Sequence, residues 1–203
     1  MKIKICGITN IEDALAAESL GADAIGFIFY EKGKRYVAPE TIRDITNVLS
    51  PFTIKVGVFV NESSEIINTK SKLAGINVVQ LHGNEKQDII NSISLPVIKV
   101  FRVDENFDYK MIDQYNGCSI LLDTYSEKSY GGTGKQFDWE KIPAKIRNNI
   151  ILAGGVSLEN IEFIYKNINP AAVDLSSSLE ITPGKKDKNK MEKFFNKVNQ
   201  LRR

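Results

Sequence analysis

Short apolar runs rich in Ile and Val alternate with longer amphipathic stretches from one end of the chain to the other. Runs of this kind, bounded by turn residues, read as buried strands, and they fall at 2–8, 24–29, 54–60, 78–83, 96–103, 119–125, 149–156 and 171–177. Apolar positions at helical spacing fill the gaps at about 11–20, 39–49, 62–74, 85–93, 139–147, 158–167 and 187–201. The stretch 107–116 is weakly patterned and reads as a short helix or a loop. Caps or a first-turn proline mark several helix starts, at Thr9/Asn10, Pro39, Asn61 and Ser157. Strands joined by helix-length connections must lie parallel. The pattern therefore predicts an α/β fold, a single (β/α)8 barrel spanning 1–203, with a reduced helix after the fifth strand. A doubly wound open sheet is the alternative, and the lack of a Gly-rich dinucleotide fingerprint after the first strand counts against it.

Successive strand side chains point to opposite faces, so residue parity separates two surfaces. The uniformly aliphatic set should pack under the helices: Ile3 and Ile5, Val56 and Val58, Val79 and Leu81, Ile98 and Val100, Ile120 and Leu122, Val173 and Leu175. The mixed set should then point into the barrel, bringing together Lys4, Cys6, Lys55, Gln80, His82, Lys99, Asp123, Asp174 and Ser176. Charges buried there must be paired or functional, because an unpaired one costs several kcal/mol. Polar groups gathered near the C-terminal strand ends are what a barrel active site requires.

Composition changes this picture little. With 203 residues, 42% of them hydrophobic and 26% charged, the chain suits one ordinary globular domain. A net charge of +2 gives no field that would draw nucleic acid or a membrane surface. The lysines between Lys185 and Lys193 read as a solvated helix face. Cys6 and Cys118 are too few for a disulfide framework and suit a reducing compartment, and no window approaches membrane-spanning length. The expectation is a cytoplasmic protein, and a monomer, since no strand or loop reads as an obvious interface.

The late segments Leu152–Ser157 and Val173–Ser178 suggest a phosphate cradle. Gly154 and Gly155 let backbone N–H groups come close, Ser176 and Ser177 follow the eighth strand, and barrels commonly bind phosphate there. Cys6 could be a thiolate base or nucleophile and Asp123 a general acid; His82 could be functional or a satisfied core residue. Cys118, at the start of the sixth strand, reads as a small buried hydrophobe. A zinc site from Cys6, Cys118 and His82 is not expected, because the spacing fits no zinc motif and the cysteines should lie at opposite barrel ends. The loop Tyr130–Lys135 is glycine-rich but lacks the Walker spacing, so it is not read as a nucleotide loop.

Taken in order, Lys4-Ile5-Cys6-Gly7-Ile8-Thr9, Lys34-Arg35-Tyr36-Val37-Ala38-Pro39, Gln80-Leu81-His82-Gly83, Leu121-Leu122-Asp123 and Leu152-Ala153-Gly154-Gly155 form a pattern. Gly131-Gly132-Thr133-Gly134-Lys135, Asp174-Leu175-Ser176-Ser177, Glu180 and Pro183-Gly184-Lys185-Lys186-Asp187 complete it. The whole resembles the phosphoribosylanthranilate isomerase family of tryptophan biosynthesis. One departure is Ser178, where the family usually has Gly.

The resemblance implies an Amadori rearrangement of a phosphorylated small molecule, with no metal and no organic cofactor. It implies Asp123 as general acid and Cys6 as general base. Asp174 would hold the substrate's amine or hydroxyl side, and Arg35 would pair with the anthranilate carboxylate. Gln80 and His82 would line the substrate site, and Gly154, Gly155, Ser176 and Ser177 would take the phosphate. Reference pKa values of about 3.9 for Asp and about 8.5 for Cys run opposite to those roles. Lys4, on the face shared with Cys6, is the candidate cation for lowering the thiol, or else pairs with an acid deeper in the barrel. Two alternatives stay open: another sugar-phosphate barrel isomerase, as in histidine biosynthesis, which would favour paired aspartates, and a catalytically silent phosphate-binding barrel.

Overall fold

The computed structural model describes residues 1–125 and 137–203; the glycine loop Tyr130–Lys135 lies outside them. Strands β1 (Lys2–Cys6), β2 (Ala24–Ile28), β3 (Ile54–Phe59), β4 (Val78–Leu81), β5 (Val97–Val103), β6 (Cys118–Thr124), β7 (Ile150–Leu152) and β8 (Ala172–Leu175) close in that order. Every pairing is parallel, and β1 seals against β8 with Lys4 opposite Asp174. This is the predicted (β/α)8 barrel, with every strand but β6 shorter than its apolar run, β7 the most so.

Helices α1 (Ile11–Ser19), α2 (Pro39–Val48), α3 (Ser64–Leu73) and α4 (Gln87–Asn91) alternate with the first strands. Later come α5 (Ala144–Arg147), α6 (Ile161–Phe163) and α7 (Lys188–Leu201). The weak stretch after β5 forms only a 3-10 turn, Tyr109–Gln114, which is the reduced helix expected there. Two caps differ from expectation. Ser63, not Asn61, caps α3 by accepting from the Ile66 N–H, while Asn61 sits in left-handed backbone (φ 54°). Ser157 is not a cap either: the chain makes a turn first, and α6 begins four residues later before widening into a π-helix, Ile164–Ile168.

The main core lies between sheet and helices. It takes Ile3 and Ile5 from β1, Phe27 from β2, Val79 and Leu81 from β4, and Val173 and Leu175 from β8. Met191, Phe194, Phe195 and Val198 bring α7 onto it, each such side chain worth about 1.5–3 kcal/mol of burial. Inside the barrel a smaller cluster holds Val56, Ile98, Val100, Leu121 and Ala153. That reverses the parity expected for β3 and β5. Phe59 stacks on Phe29 at 4.4 Å in the outer layer, and Lys55 and Lys99 are in register with the outward-facing Ile25 and Leu81. Both faces of a parallel barrel are buried, so small aliphatics fill its interior and an aliphatic parity does not by itself mark the outside. The outward lysines are disguised by their partners. Lys55 Nζ donates to the Ser50 carbonyl at 2.6 Å, and Lys99 Nζ meets Glu85 at 2.7 Å and the Gly83 carbonyl at 2.8 Å.

Beyond β8 the chain makes a 3-10 turn, Ser177–Leu179, and an antiparallel hairpin of β9 (Glu180–Thr182) and β10 (Lys185–Lys186) before entering α7. That hairpin folds back toward β1: Thr9 Oγ1 donates to the Gly184 carbonyl at 2.5 Å.

Candidate active site

At the C-terminal mouth, β1 and β8 place Lys4 and Asp174 side by side. Lys4 Nζ and Asp174 Oδ2 are 2.8 Å apart, with side chains 4% and 8% exposed. Lys4 fills both roles open to it: it pairs with Asp174 and also faces the Cys6 thiol, which its charge pulls down. Burial pushes the Lys4 ammonium down, but Asp174 and Cys6 outweigh it and hold the pKa above the usual lysine range. Asp174 Oδ1 is buried with no hydrogen-bond partner, an acceptor left open.

Cys6 lies at the end of β1, buried, its Sγ against Gly26 of β2. A Cβ at Gly26 would come within 2.8 Å of the sulfur and 3.1 Å of Lys4 Cε, so only glycine admits both side chains. Burial raises the Cys6 thiol, Asp174 adds to that, and Lys4 and Lys186 pull it down. The net direction is upward. Lys4 pulls on the thiol more strongly than any other group there, yet burial outweighs it and the thiol stays above its ordinary range.

Across the mouth, β4 and β6 bring Gln80, His82 and Asp123 into a line. Gln80 Nε2 is 3.2 Å from His82 Nδ1, and His82 Nε2 is 3.2 Å from Asp123 Oδ2. An amide nitrogen can only donate, so Nδ1 accepts and the ring proton sits on Nε2, which lies beside the carboxylate without completing a hydrogen bond to it. Asp123 Oδ1 accepts from the Thr124 N–H at 2.8 Å. All three side chains are nearly inaccessible to solvent.

The two turns expected to take phosphate end neighbouring strands. Gly154 and Gly155 both have left-handed backbone, φ 75° and 83°. A Cβ at Gly154 would collide with the Thr124 hydroxyl and lie 2.5 Å from its backbone nitrogen and 3.0 Å from Asp123 Oδ1. Asn160 pins this turn, donating to the Gly155 carbonyl at 2.8 Å and accepting from the Ser157 N–H at 2.9 Å. The Ser176 hydroxyl packs 3.0 Å from where a Gly7 side chain would begin, and Gly7 is itself left-handed at φ 74°.

Arg35, on the loop after β2, reaches over the same Gly7 position. Its Nε and Nη2 bond Glu180 at 2.8 and 2.6 Å, a bidentate pair. Burial pushes the Glu180 carboxyl up, but Arg35 and Lys186 hold it below the usual range.

Sequence reasoning missed several residues that build this mouth. Glu85 accepts from the Gly83 N–H at 3.0 Å and the Asn61 N–H at 2.7 Å while pairing with Lys99, so it ties together the loops after β3 and β4 and the strand β5. Gly7, Asn160, Glu180 and Lys186 also carry specific duties. A lysine out of place on β5 was the one available signal for Glu85. Among the described residues no cluster of three or more His, Cys, Asp or Glu has the arrangement of a metal site. No helix there is long and apolar enough to cross a membrane.

A closed eight-stranded parallel barrel with ionisable side chains gathered at its carboxyl mouth has the layout of a (β/α)8-barrel enzyme. Residues 3–197 match the model of the N-(5'phosphoribosyl)anthranilate (PRA) isomerase family, and the chain belongs to that family. An N-(5'-phosphoribosyl)anthranilate isomerase from Thermotoga neapolitana is 44% identical over 205 residues, covering 99% of this chain and all of the relative. A phosphoribosyl anthranilate isomerase in complex with reduced 1-(o-carboxyphenylamino)-1-deoxyribulose 5-phosphate superposes with a TM-score of 0.87 at 39% identity, covering 99% of this chain and 100% of that one. A Thermotoga maritima structure, described as monomers generated from a dimeric enzyme, superposes at 0.88 with 39% identity over 99% and 100% of the two chains.

Proposed function

We propose that this mouth carries out the Amadori rearrangement of N-(5-phospho-β-D-ribosyl)anthranilate to 1-(2-carboxyphenylamino)-1-deoxy-D-ribulose 5-phosphate, with Asp123 as general acid and Cys6 as general base. The observation that carries the reading is the split mouth. Gln80, His82 and Asp123 form one polar chain on β4 and β6; Cys6, Lys4 and Asp174 form another on β1 and β8. An acid and a base can thus face one substrate from two sides. The related isomerase that holds a reduced form of this product supports the substrate class.

Asp123 gives its proton to the furanose ring oxygen. The C1–O bond breaks toward that oxygen while the anthranilate nitrogen lone pair forms a C1=N bond, giving a protonated Schiff base. Cys6 then takes the C2 proton, and the C2–H electrons make the C1–C2 double bond of an enolamine. Ketonisation returns a proton to C1 and leaves the C2 carbonyl. His82 Nε2, 3.2 Å from Asp123 Oδ2 and with no hydrogen bond of its own, is placed to donate to the carboxylate that Asp123 becomes. Asp174 Oδ1 accepts from the substrate's amine or hydroxyl. The phosphate lies across Gly154, Gly155, Ser176 and Ser177, where left-handed glycines turn main-chain N–H groups toward an anion. Glu180 already holds Nε and Nη2 of Arg35, so the anthranilate carboxylate meets the Nη1 edge.

The test follows the loss of phosphoribosylanthranilate fluorescence. Cys6→Ala and Asp123→Asn should each lower kcat by roughly 10²-fold while staying folded; wild-type turnover in either removes that assignment. The working assembly is a monomer, and sedimentation decides it. The observation against it is Phe52, 93% exposed beside the exposed Ile54, so a dimer that Phe52→Glu dissolves would replace it.

A further inference from the structure

Lys186 is a lysine the mechanism does not use, and it is one of the most deeply buried charges in the molecule. Its side chain has no exposed area. It enters from β10, outside the barrel, yet its ammonium reaches the catalytic strand ends. Nζ donates to the Cys6 carbonyl at 2.7 Å, the Ser176 carbonyl at 3.1 Å and Glu180 Oε1 at 2.9 Å. An ammonium has three protons, and all three are spent. A lysine buried only to close a hairpin has no need of two carbonyls from other elements, one on the base and one on the residue assigned to phosphate.

We propose that Lys186 is the positioning residue for Cys6: held by Glu180, its ammonium fixes the Cys6 main chain against the Ser176 turn and sets a positive charge beside the thiol. This rests on the reading of Cys6 as base. The charges around that thiol come from five elements. Lys4 on β1 is neutralised by Asp174 on β8, and Arg35 after β2 is neutralised by Glu180. Lys186 also touches Glu180, but one carboxylate shared by two cations leaves that trio one positive charge in excess. Within that trio it is Lys186 that touches Cys6, at its carbonyl, and its charge favours the thiolate in addition to the larger pull of Lys4. Glu180 thereby joins the carboxylate-binding arginine and the base to one anchor. The neighbouring Lys185 is exposed and serves as the control.

The experiment reads thiol ionisation without turnover, by the rate of iodoacetamide alkylation of Cys6 against pH in a Cys118→Ser background. Lys186→Met should move the alkylation midpoint upward by about one pH unit and lower kcat near neutrality by at least about tenfold. Much of that loss should return at higher pH. Lys185→Met should match the parent in both. Should Lys186→Met fail to fold, Lys186→Gln, which keeps a donor and drops the charge, should show the same upward shift. An alkylation profile that overlays the parent in the folded variant overturns the proposal, whatever happens to kcat. Failure of the base assignment shows differently, as undiminished turnover in Cys6→Ala.

Discussion

Gly154→Ala is the sharpest perturbation, because the same residue has left-handed backbone and packs beside the Asp123 carboxyl. At φ 75° an alanine is left-handed, which costs about 1–2 kcal/mol. Its methyl would also lie 2.5 Å from the Thr124 nitrogen, a backbone atom that cannot swing aside, and overpacking of this kind costs about 1–3 kcal/mol. Together they amount to about 3 kcal/mol, or a fall in Tm of about 6–12 °C for a chain of this size. The turn can relieve the clash only by displacing the Thr124–Asp123 hydrogen bond, so the carboxyl moves with it. A displacement near 1 Å can cost about 10²-fold in rate, and kcat should fall at least tenfold. Gly117→Ala separates the two causes, since Gly117 has φ 69° with nothing within 4 Å of an added Cβ. It should show the backbone penalty alone, about 1–2 kcal/mol, with normal kcat. Melting curves and steady-state rates for the two variants decide the matter. If Gly154→Ala melts and turns over like Gly117→Ala, the contact with Thr124 and Asp123 has no consequence and the reasoning fails.

Three further outcomes follow from other parts of the mouth. Gly155→Val, also at a left-handed position, should raise KM strongly with a smaller change in kcat, since phosphate binds ground and transition states alike; an unchanged KM would remove Gly155 from the phosphate site. Lys99→Met leaves Glu85 charged and buried, which should destabilise by about 3–5 kcal/mol; a denaturant midpoint equal to wild type would refute the clamp. Because burial, reinforced by Asp174, outweighs Lys4 and Lys186 and leaves the Cys6 thiol raised, it is protonated at neutral pH in the free enzyme. kcat/KM should therefore climb as pH rises through neutrality, and a flat profile from pH 6 to 9 would count against a thiolate base.

The barrel was legible because its strands announce themselves twice, as Ile/Val runs and as regular spacing. Six strands also carried the right parity or nothing to contradict it. β3 and β5 misled because Val56, Ile98 and Val100 fill the barrel interior while Lys55 and Lys99 face out with private partners. Alternation tells two faces apart; it does not say which is inside when both are dry. Gln80, His82, Asp123, Cys6 and Asp174 were placed together by parity alone, and the structure links them in two groups, one through His82 and one through Lys4. The partners that steady them stayed hidden. Glu180 finds Arg35 across 145 residues and Lys186 finds Cys6 across 180, and no local period encodes a contact of that length.

That span has a consequence during synthesis. Cys6 is among the first residues made, whereas the lysine that grips its carbonyl is 180 positions behind it. At about 5–20 residues per second the interval is roughly ten to forty seconds. Through that time the strand bearing the thiol lacks first its β8 neighbour and then the hairpin that closes over it, so the thiol waits open to oxidants and alkylating agents. A chain stalled between β8 and β9 would hold a nearly complete barrel with that thiol still uncovered, and pulse-labelling of nascent chains with a thiol reagent would time its sealing.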